Sequence, residues 1–136
     1  MAAHLEIPDE NLAVMEQFAR DNAQPIVMVN LMSLREIAEY EAEGFANCSG
    51  SEAFARYTQA SSEVRQQAGA KLIWSGKALH MPIGPAEKTW DMVALVEYPS
   101  ARAYLDMKST AAYQAARLHR RAALLDSRLI MTAPNG

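Results

Sequence analysis

The chain has 136 residues, enough for one domain with a continuous core and too few for two domains joined by a linker. Hydrophobic residues make up 50% and charged residues 21%, a globular balance that excludes a disordered or fibrous chain, and a net charge of −3 with scattered lysines and arginines excludes general attraction to a polyanion, so nucleic acid is not an expected partner. Cys48 is the only cysteine, which excludes an intrachain disulfide and a thiolate cluster, and His4, His80 and His119 lack metal-site spacing, so neither metal nor cofactor is expected.

In chain order, residues 9–21 place Leu12, Met15 and Phe18 or Ala19 on one face and acidic residues at the start, the pattern of a short amphipathic helix. The stretch MAAHLEIPDE before it has neither a basic nor an apolar leader segment, and no apolar run approaches the roughly 20 residues that cross a bilayer, so a cytoplasmic protein away from membranes is expected. Pro25 breaks the chain before IVMVNLM at 26–32, a strand apolar on both faces. Ser33 with Glu36 three residues on, closed by Gly44, predicts a short helical insert over 33–44. Residues 51–69 recur apolar or aromatic at Phe54, Tyr57, Val64 and Ala68 and predict the first major helix, with Ser51 as cap and Gly69 as stop.

Residues 70–81 alternate as a second strand, with Leu72, Trp74 and Gly76 on one face and a bulge or close approach at Gly76. A turn-rich connection over 82–88 leads to a third strand at 89–98, in which Trp90 and Tyr98 oppose Asp91 and Glu97. Pro99-Ser100 stops it and caps a helix at 101–108; a second helical piece at 110–125 carries Ala111, Ala115, Leu118, Ala122 and Leu125 in one stripe; and a last strand follows at 127–133. The order βαββαβ is the ferredoxin-like arrangement: an α+β domain over 25–133 with an N-terminal helical extension at 1–24. Helices cover one face of a four-stranded sheet, yet two strands are apolar on both faces, so the open face is expected to meet the same face of a second copy in a homodimer.

Polar groups in apolar surroundings mark candidate sites. Asn30 interrupts the first strand and either satisfies a neighbouring turn or faces a ligand. Trp74, Trp90, Tyr57 and Tyr98 supply aromatic surface either to the core or to a cavity between sheet and helices. Asp91 reads first as an ion-pair partner of a lysine or arginine. In 119-HRRAALLDSR-128, a helical projection centred on Leu118, Ala122 and Leu125 sends Arg120 to solvent and puts His119 and Arg121 on opposite shoulders. Asp126 either caps the turn into the last strand or, if the helix continues, pairs with His119 and orients it for proton transfer.

The phrases IVMVNLMSL, GSEAFARYTQA, GAKLIWSGK, WDMVALVEYPSARAYLDM and YQAARLHRRAALLDSRLI resemble the family of domain of unknown function 1330, within the dimeric α+β-barrel superfamily, over residues 25–133. The resemblance implies a ferredoxin-like dimer and places Asn30, Tyr57, Trp90, Asp91, Tyr98, Arg121 and Asp126 at pocket or framework positions, with Tyr113 in the most specific part of the pattern. It also implies a range of activities, since that superfamily holds cofactor-free monooxygenases, isomerases, cyclases and decarboxylases beside proteins that only bind ligands. Two expectations follow. In the first, a cofactor-independent enzyme takes a small apolar or aromatic carbonyl compound; His119 moves a proton, Asn30 and Tyr57 hydrogen-bond the carbonyl or enolate oxygen, and Arg121 holds a negative group. In the second, a homodimer binds a small ligand without turnover or serves a structural role.

Overall fold

The computed structural model describes residues 3–41 and 44–135. Four helices, α1 (Asp9–Asp21), α2 (Gly50–Gln67), α3 (Ala101–Lys108) and α4 (Ala111–Ala123), accompany four strands, β1 (Ile26–Leu34), β2 (Lys71–Lys77), β3 (Met92–Tyr98) and β4 (Leu124–Thr132). The strands form one antiparallel sheet in the order β2-β3-β1-β4, the ferredoxin-like topology, with α1 and α3 as additions to the βαββαβ frame. No helix among the described residues is long and apolar enough to cross a membrane.

Local chemistry explains where the helices start. Ser49 caps α2 in a reciprocal box, its hydroxyl accepting from Glu52 N–H at 3.0 Å while the Glu52 carboxylate accepts from Ser49 N–H at 3.2 Å. The cap is therefore Ser49, two residues ahead of Ser51. Ser100 and Thr110 cap α3 and α4 in the same way through Ala103 and Tyr113 N–H. Gly69 ends α2 with φ 79°, a backbone angle that suits glycine.

The helical insert expected at 33–44 does not form. Ser33 lies in β1 and donates its hydroxyl to Thr89 O instead of capping a helix, and the following backbone donors bond outward: Arg35 N–H to Ala123 O at 2.8 Å and Glu39 N–H to Ala122 O at 2.9 Å. Residues 35–41 are thus an extended strap across the end of α4, held to its return limb by Ala38 N–H to Cys48 O at 2.9 Å. Residues 42 and 43 of that insert lie outside the described residues. Gly44 does take a positive φ of 97°, but in a loop.

Two register details reposition side chains. A bulge at Ile73 sets Leu72 opposite Val96 and Trp74 opposite Leu95, so these two residues, expected on one face, lie on opposite faces. The indole then lies over Gly76, where an added Cβ would sit 2.4 Å from the ring; the close approach expected there is made by a tryptophan of the same strand. At the other edge α4 passes into β4 without a loop, so the strand begins at Leu124 and Asp126 is a strand residue.

One face of the sheet looks toward α2 and α4, and the main core gathers at one end of this layer, where Met15, Ile26, Tyr98, Tyr104 and Leu105 meet. The other face presents Val29, Leu31, Val93 and Leu95 with Trp74 and Ile130, the last two about half exposed. Strap and helix meet most closely at Gly50, where a Cβ would fall 2.0 Å from the backbone oxygen of Arg35. Gly50→Ala is expected to lower unfolding free energy by about 1–3 kcal/mol in urea denaturation, because neither backbone can retreat without breaking the cap; an unchanged midpoint would contradict that contact.

Candidate functional site

α2 and α4 pack on each other, through a cluster that includes Ala53, Ala122 and Ala123, over the inner face of the sheet. Between them lies a cavity of 770 Å³, within the range of small-molecule sites. Its floor is the helix-facing side of β1, β3 and β4, with Met28, Asn30 and Met32 alternating along β1 and Ala94 and Leu129 flanking Asn30. Its roof comes from Phe54 and Tyr57 of α2, Tyr104 of α3 and Tyr113 of α4, and the N-terminal segment from His4 to Pro8 closes one side.

Of the sequence candidates, Asn30, Tyr57, Tyr98 and Tyr113 meet at this cavity. The Asn30 amide makes only long hydrogen bonds, to Met28 O at 3.4 Å and Ala94 O at 3.5 Å, so much of its bonding capacity remains for a ligand. The Tyr57 and Tyr113 hydroxyls are 3.1 Å apart; one donates to the other, which leaves one O–H free to donate into the cavity. Tyr98 and Tyr104 pack edge to face with centroids 5.0 Å apart, and their hydroxyls have no hydrogen-bond partner among the described residues. Burial raises the pKa values of Tyr98, Tyr104 and Tyr113, so all three are neutral donors at physiological pH.

The other candidates lie elsewhere. Trp74 is on the open sheet face because of the Ile73 bulge. Trp90 is half-buried outside the cavity with the Arg128 guanidinium 5.4 Å from its ring centroid. Asp91 is exposed and accepts from Leu34 N–H at 2.7 Å, a backbone role in place of the expected ion pair. Arg121 pairs with Glu6 at 3.3 Å and Glu41 at 3.2 Å on the outer side of α4.

Asp126 neither caps a turn nor reaches His119. It is buried in β4, where its carboxylate accepts from His4 N–H at 2.9 Å, from Ser127 N–H at 2.9 Å and from Arg128 at 2.9 Å, and pairs with Lys88. Burial alone would raise its pKa, but the Lys88, His4, Ser127 and Arg128 hydrogen bonds outweigh it and hold the carboxyl well below the usual carboxylate range. Asp126 is a clamp for the N-terminal segment, reinforced by the Ser127 hydroxyl on His4 O.

His119 also departs from expectation, because the apolar stripe of α4 was misplaced by the projection. Tyr113, Ala116, Ala122 and Ala123 are the buried residues of α4, so of the expected stripe Ala122 alone is buried; Leu118 is 41% exposed, and Arg117 and Arg120, the latter expected in solvent, line the cavity that His119 does not reach. The imidazole instead meets the strap: its Nδ1 is 2.7 Å from the Tyr40 hydroxyl, and the Tyr40 and Phe45 rings lie edge-on to it at 5.5 and 5.4 Å. Arg56 can only donate, so the Tyr40 oxygen accepts from it at 3.4 Å while sharing a hydrogen bond with Nδ1. Burial first, and then the Arg56 charge, lower the His119 pKa. It is a neutral latch between helix and strap, not a proton carrier for the cavity.

Lys108, Arg117, Arg120, Tyr104 and the His4–Pro8 segment escaped the sequence reading. The signal for part of this set was present, since Tyr113, Arg117 and Arg120 follow the i, i+4, i+7 spacing of one helix face. Among the described residues no three His, Cys, Asp or Glu side chains gather as a metal-binding group.

The profile of the family described as "Domain of unknown function (DUF1330)" matches residues 45–133. Two crystal structures of RPA0582, a protein of unknown function from Rhodopseudomonas palustris, are similar to the chain at 36% identity. The methylated form has a TM-score of 0.92 over 100% of this chain and 98% of that one, and a second structure has 0.90 over 99% of each. A protein of unknown function from Bacteroides fragilis NCTC 9343, described as dimeric with a ferredoxin-like fold, matches at a TM-score of 0.50 and 10% identity over 79% of this chain and 93% of its own, a likeness of fold alone. No curated protein matches the chain.

The His119 latch carries a pH signature. Its folded pKa lies below the ordinary value of 6.5, so below that pH the unfolded chain binds more protons than the folded one and the latch's contribution is lost as pH falls. His119→Gln is expected to flatten the decline in melting temperature on acidification from neutral pH through the region just below 6.5; an identical pH profile in both proteins would show that folding leaves the His119 pKa unshifted.

Proposed function

Because the chain belongs to the DUF1330 family, with a ferredoxin-like α+β fold, we propose that it is a homodimer in which each protomer binds a small, largely apolar carbonyl compound between sheet and helices. The observation that carries this reading is the 770 Å³ cavity with its few converging polar groups. An apolar pocket with isolated donors binds by desolvating the ligand body and fixing its orientation through one or two hydrogen bonds. Here the free O–H of the Tyr57–Tyr113 pair and the under-used Asn30 amide are the donors for a carbonyl oxygen, and burial keeps Tyr113 in the protonated form that donation requires. Five of the eight methionines, Met15, Met28, Met32, Met92 and Met131, line the cavity, and their unbranched side chains adapt to an irregular ligand surface.

Binding is favoured over turnover because His119, the expected proton carrier, lies outside the cavity in contact with Tyr40. A cofactor-independent reaction on the bound carbonyl is the second reading, favoured by the same tyrosine pair, whose free hydroxyl would stabilise a developing enolate oxygen. The homodimer is supported by the open sheet face. Val29, Leu31, Val93 and Leu95 form its centre, with Trp74 and Ile130 exposed beside them, an apolar patch that a second copy would bury by two-fold apposition.

Calorimetric titration with 2-acetylnaphthalene tests the binding reading. Saturable binding by the wild type is expected, and Ala94→Trp, which sets an indole on the cavity floor beside Asn30, is expected to weaken it by about tenfold or more, a loss of about 1.4 kcal/mol. Equal binding by the variant would place the ligand elsewhere. Leu95→Lys, at the centre of the open face, is expected to shift the mass measured by light scattering from dimer to monomer, since an unpaired ammonium buried between two sheets is costly; a dimer unaffected by the lysine would move the interface to another surface.

A further inference from the structure

The cavity is uneven in charge. Lys108, Arg117 and Arg120 line one end of it, beside the His4–Pro8 segment, and Glu6 is the only carboxylate among the described lining residues. Glu6 is already engaged, by Arg117 at 2.8 Å and by Arg121, outside the cavity, at 3.3 Å. Arg120 spends one guanidinium N–H on Leu5 O at 2.9 Å, and the Arg117 Nε is buried without a partner.

Lys108 is the least satisfied of the three. It is half-buried, and its ammonium has neither an ion pair nor a hydrogen bond among the described residues. The carbonyl end of α3 favours its charge but gives it no hydrogen bond. The carbonyls of that last turn are taken by other donors: Leu105 O and Asp106 O by Ser109 N–H, Met107 O by Thr110, and Lys108 O by the Gln114 amide at 2.7 Å. Burial lowers the Lys108 pKa; Glu6 opposes this, while Arg117 and Arg120 add to it, which places these charges around one point. The carboxylate near it, Glu6, is already held by Arg117 and Arg121, so the cations at this end outnumber the negative charge that faces them.

We infer that this end of the cavity receives a carboxylate, so that the ligand is an amphipathic monocarboxylate whose head group meets Lys108 and Arg120 and whose apolar body lies over Met28, Leu129 and Met131. Tyr104 lines the same end, and its hydroxyl, without a partner among the described residues, adds a neutral donor to the head group. A single negative charge suits the site better than a phosphate dianion. One acid group matches Lys108, the lining cation that has neither ion pair nor hydrogen bond among the described residues, while Arg117 is already paired with Glu6. This inference rests on the cavity being a ligand site, and it narrows the carbonyl compound of the proposed function to one that also bears an acid.

The test is a matched set of probes on the intact protein at neutral pH and low salt: 2-naphthylacetate, the neutral ketone 2-acetylnaphthalene, and 2-naphthylmethylphosphonate. The carboxylate is expected to bind at least about tenfold more tightly than the ketone, as charge-assisted hydrogen bonds allow, and its advantage should shrink as salt is added. In Lys108→Met the carboxylate is expected to fall to the affinity of the ketone while the ketone is unchanged. Equal affinities for carboxylate and ketone in the wild type would overturn the carboxylate site while leaving the cavity reading intact, and that comparison needs no variant to fold. A carboxylate advantage that survives in both Lys108→Met and Arg120→Met would also overturn it, as would tighter binding of the phosphonate. Absence of binding by all three probes would overturn the cavity reading, and this inference with it.

Discussion

Helices α2 and α4 rest on each other through small side chains, and between this pair and the inner face of the sheet lies the cavity. Ala53 on α2 and Ala122 and Ala123 on α4 let the helices approach closely, and the strap's Ala38 and Cys48 join the same cluster. With helices braced in this way, the side chains of the sheet's inner face are not met by facing side chains along its whole length. The space between becomes a cavity bounded by tyrosines and methionines, while the close-packed core is confined to the end where α1 and α3 fill in. Strap, latch and cavity all depend on that brace.

The strap and the N-terminal segment hold the arrangement from opposite sides. The strap ties β1 to the last turn of α4 through backbone hydrogen bonds from Arg35 and Glu39, and the Tyr40–His119 contact completes it. The N-terminal segment is clamped to β4 by Asp126 and Ser127 and to α4 by Arg117 and Arg120. Asp126 is buried with every strong partner it needs, so it acts as a fixed anchor. The cations around Glu6 are not matched in this way: Glu6 is shared by Arg117 and Arg121, and Lys108 has no ion pair among the described residues.

Several candidate residues were correct in type and wrong in place, and each error has one geometric cause. Trp74 leaves the cavity because one extra residue at Ile73 reverses the facing of everything after it along the strand. His119 leaves it because the helical face of α4 was centred on Leu118 and Leu125, whereas the helix presents alanines and Tyr113 inward and carries its leucine outward. The capping pattern Ser33–Glu36 misled because Ser33 is already held in β1, where its hydroxyl serves the Thr89 carbonyl.

Sequence alone determined the four strands, the helices between them and their order, and therefore the topology, though not the course of residues 33–44. Hydrophobic periodicity, caps and Gly/Pro stops are local properties, and the βαββαβ order leaves few ways to pair four strands. It also marked Asn30, Tyr57 and Tyr98 from spacing and polarity, and Tyr113 through the family resemblance. Tertiary structure decided the rest: that the helices brace on each other and leave a cavity, that Asp126 clamps the distant His4 segment, and that Lys108 is left without a counter-charge. These depend on residues far apart in the chain meeting in space, and no local pattern records how far a helix stands from a sheet or which charge lacks a partner.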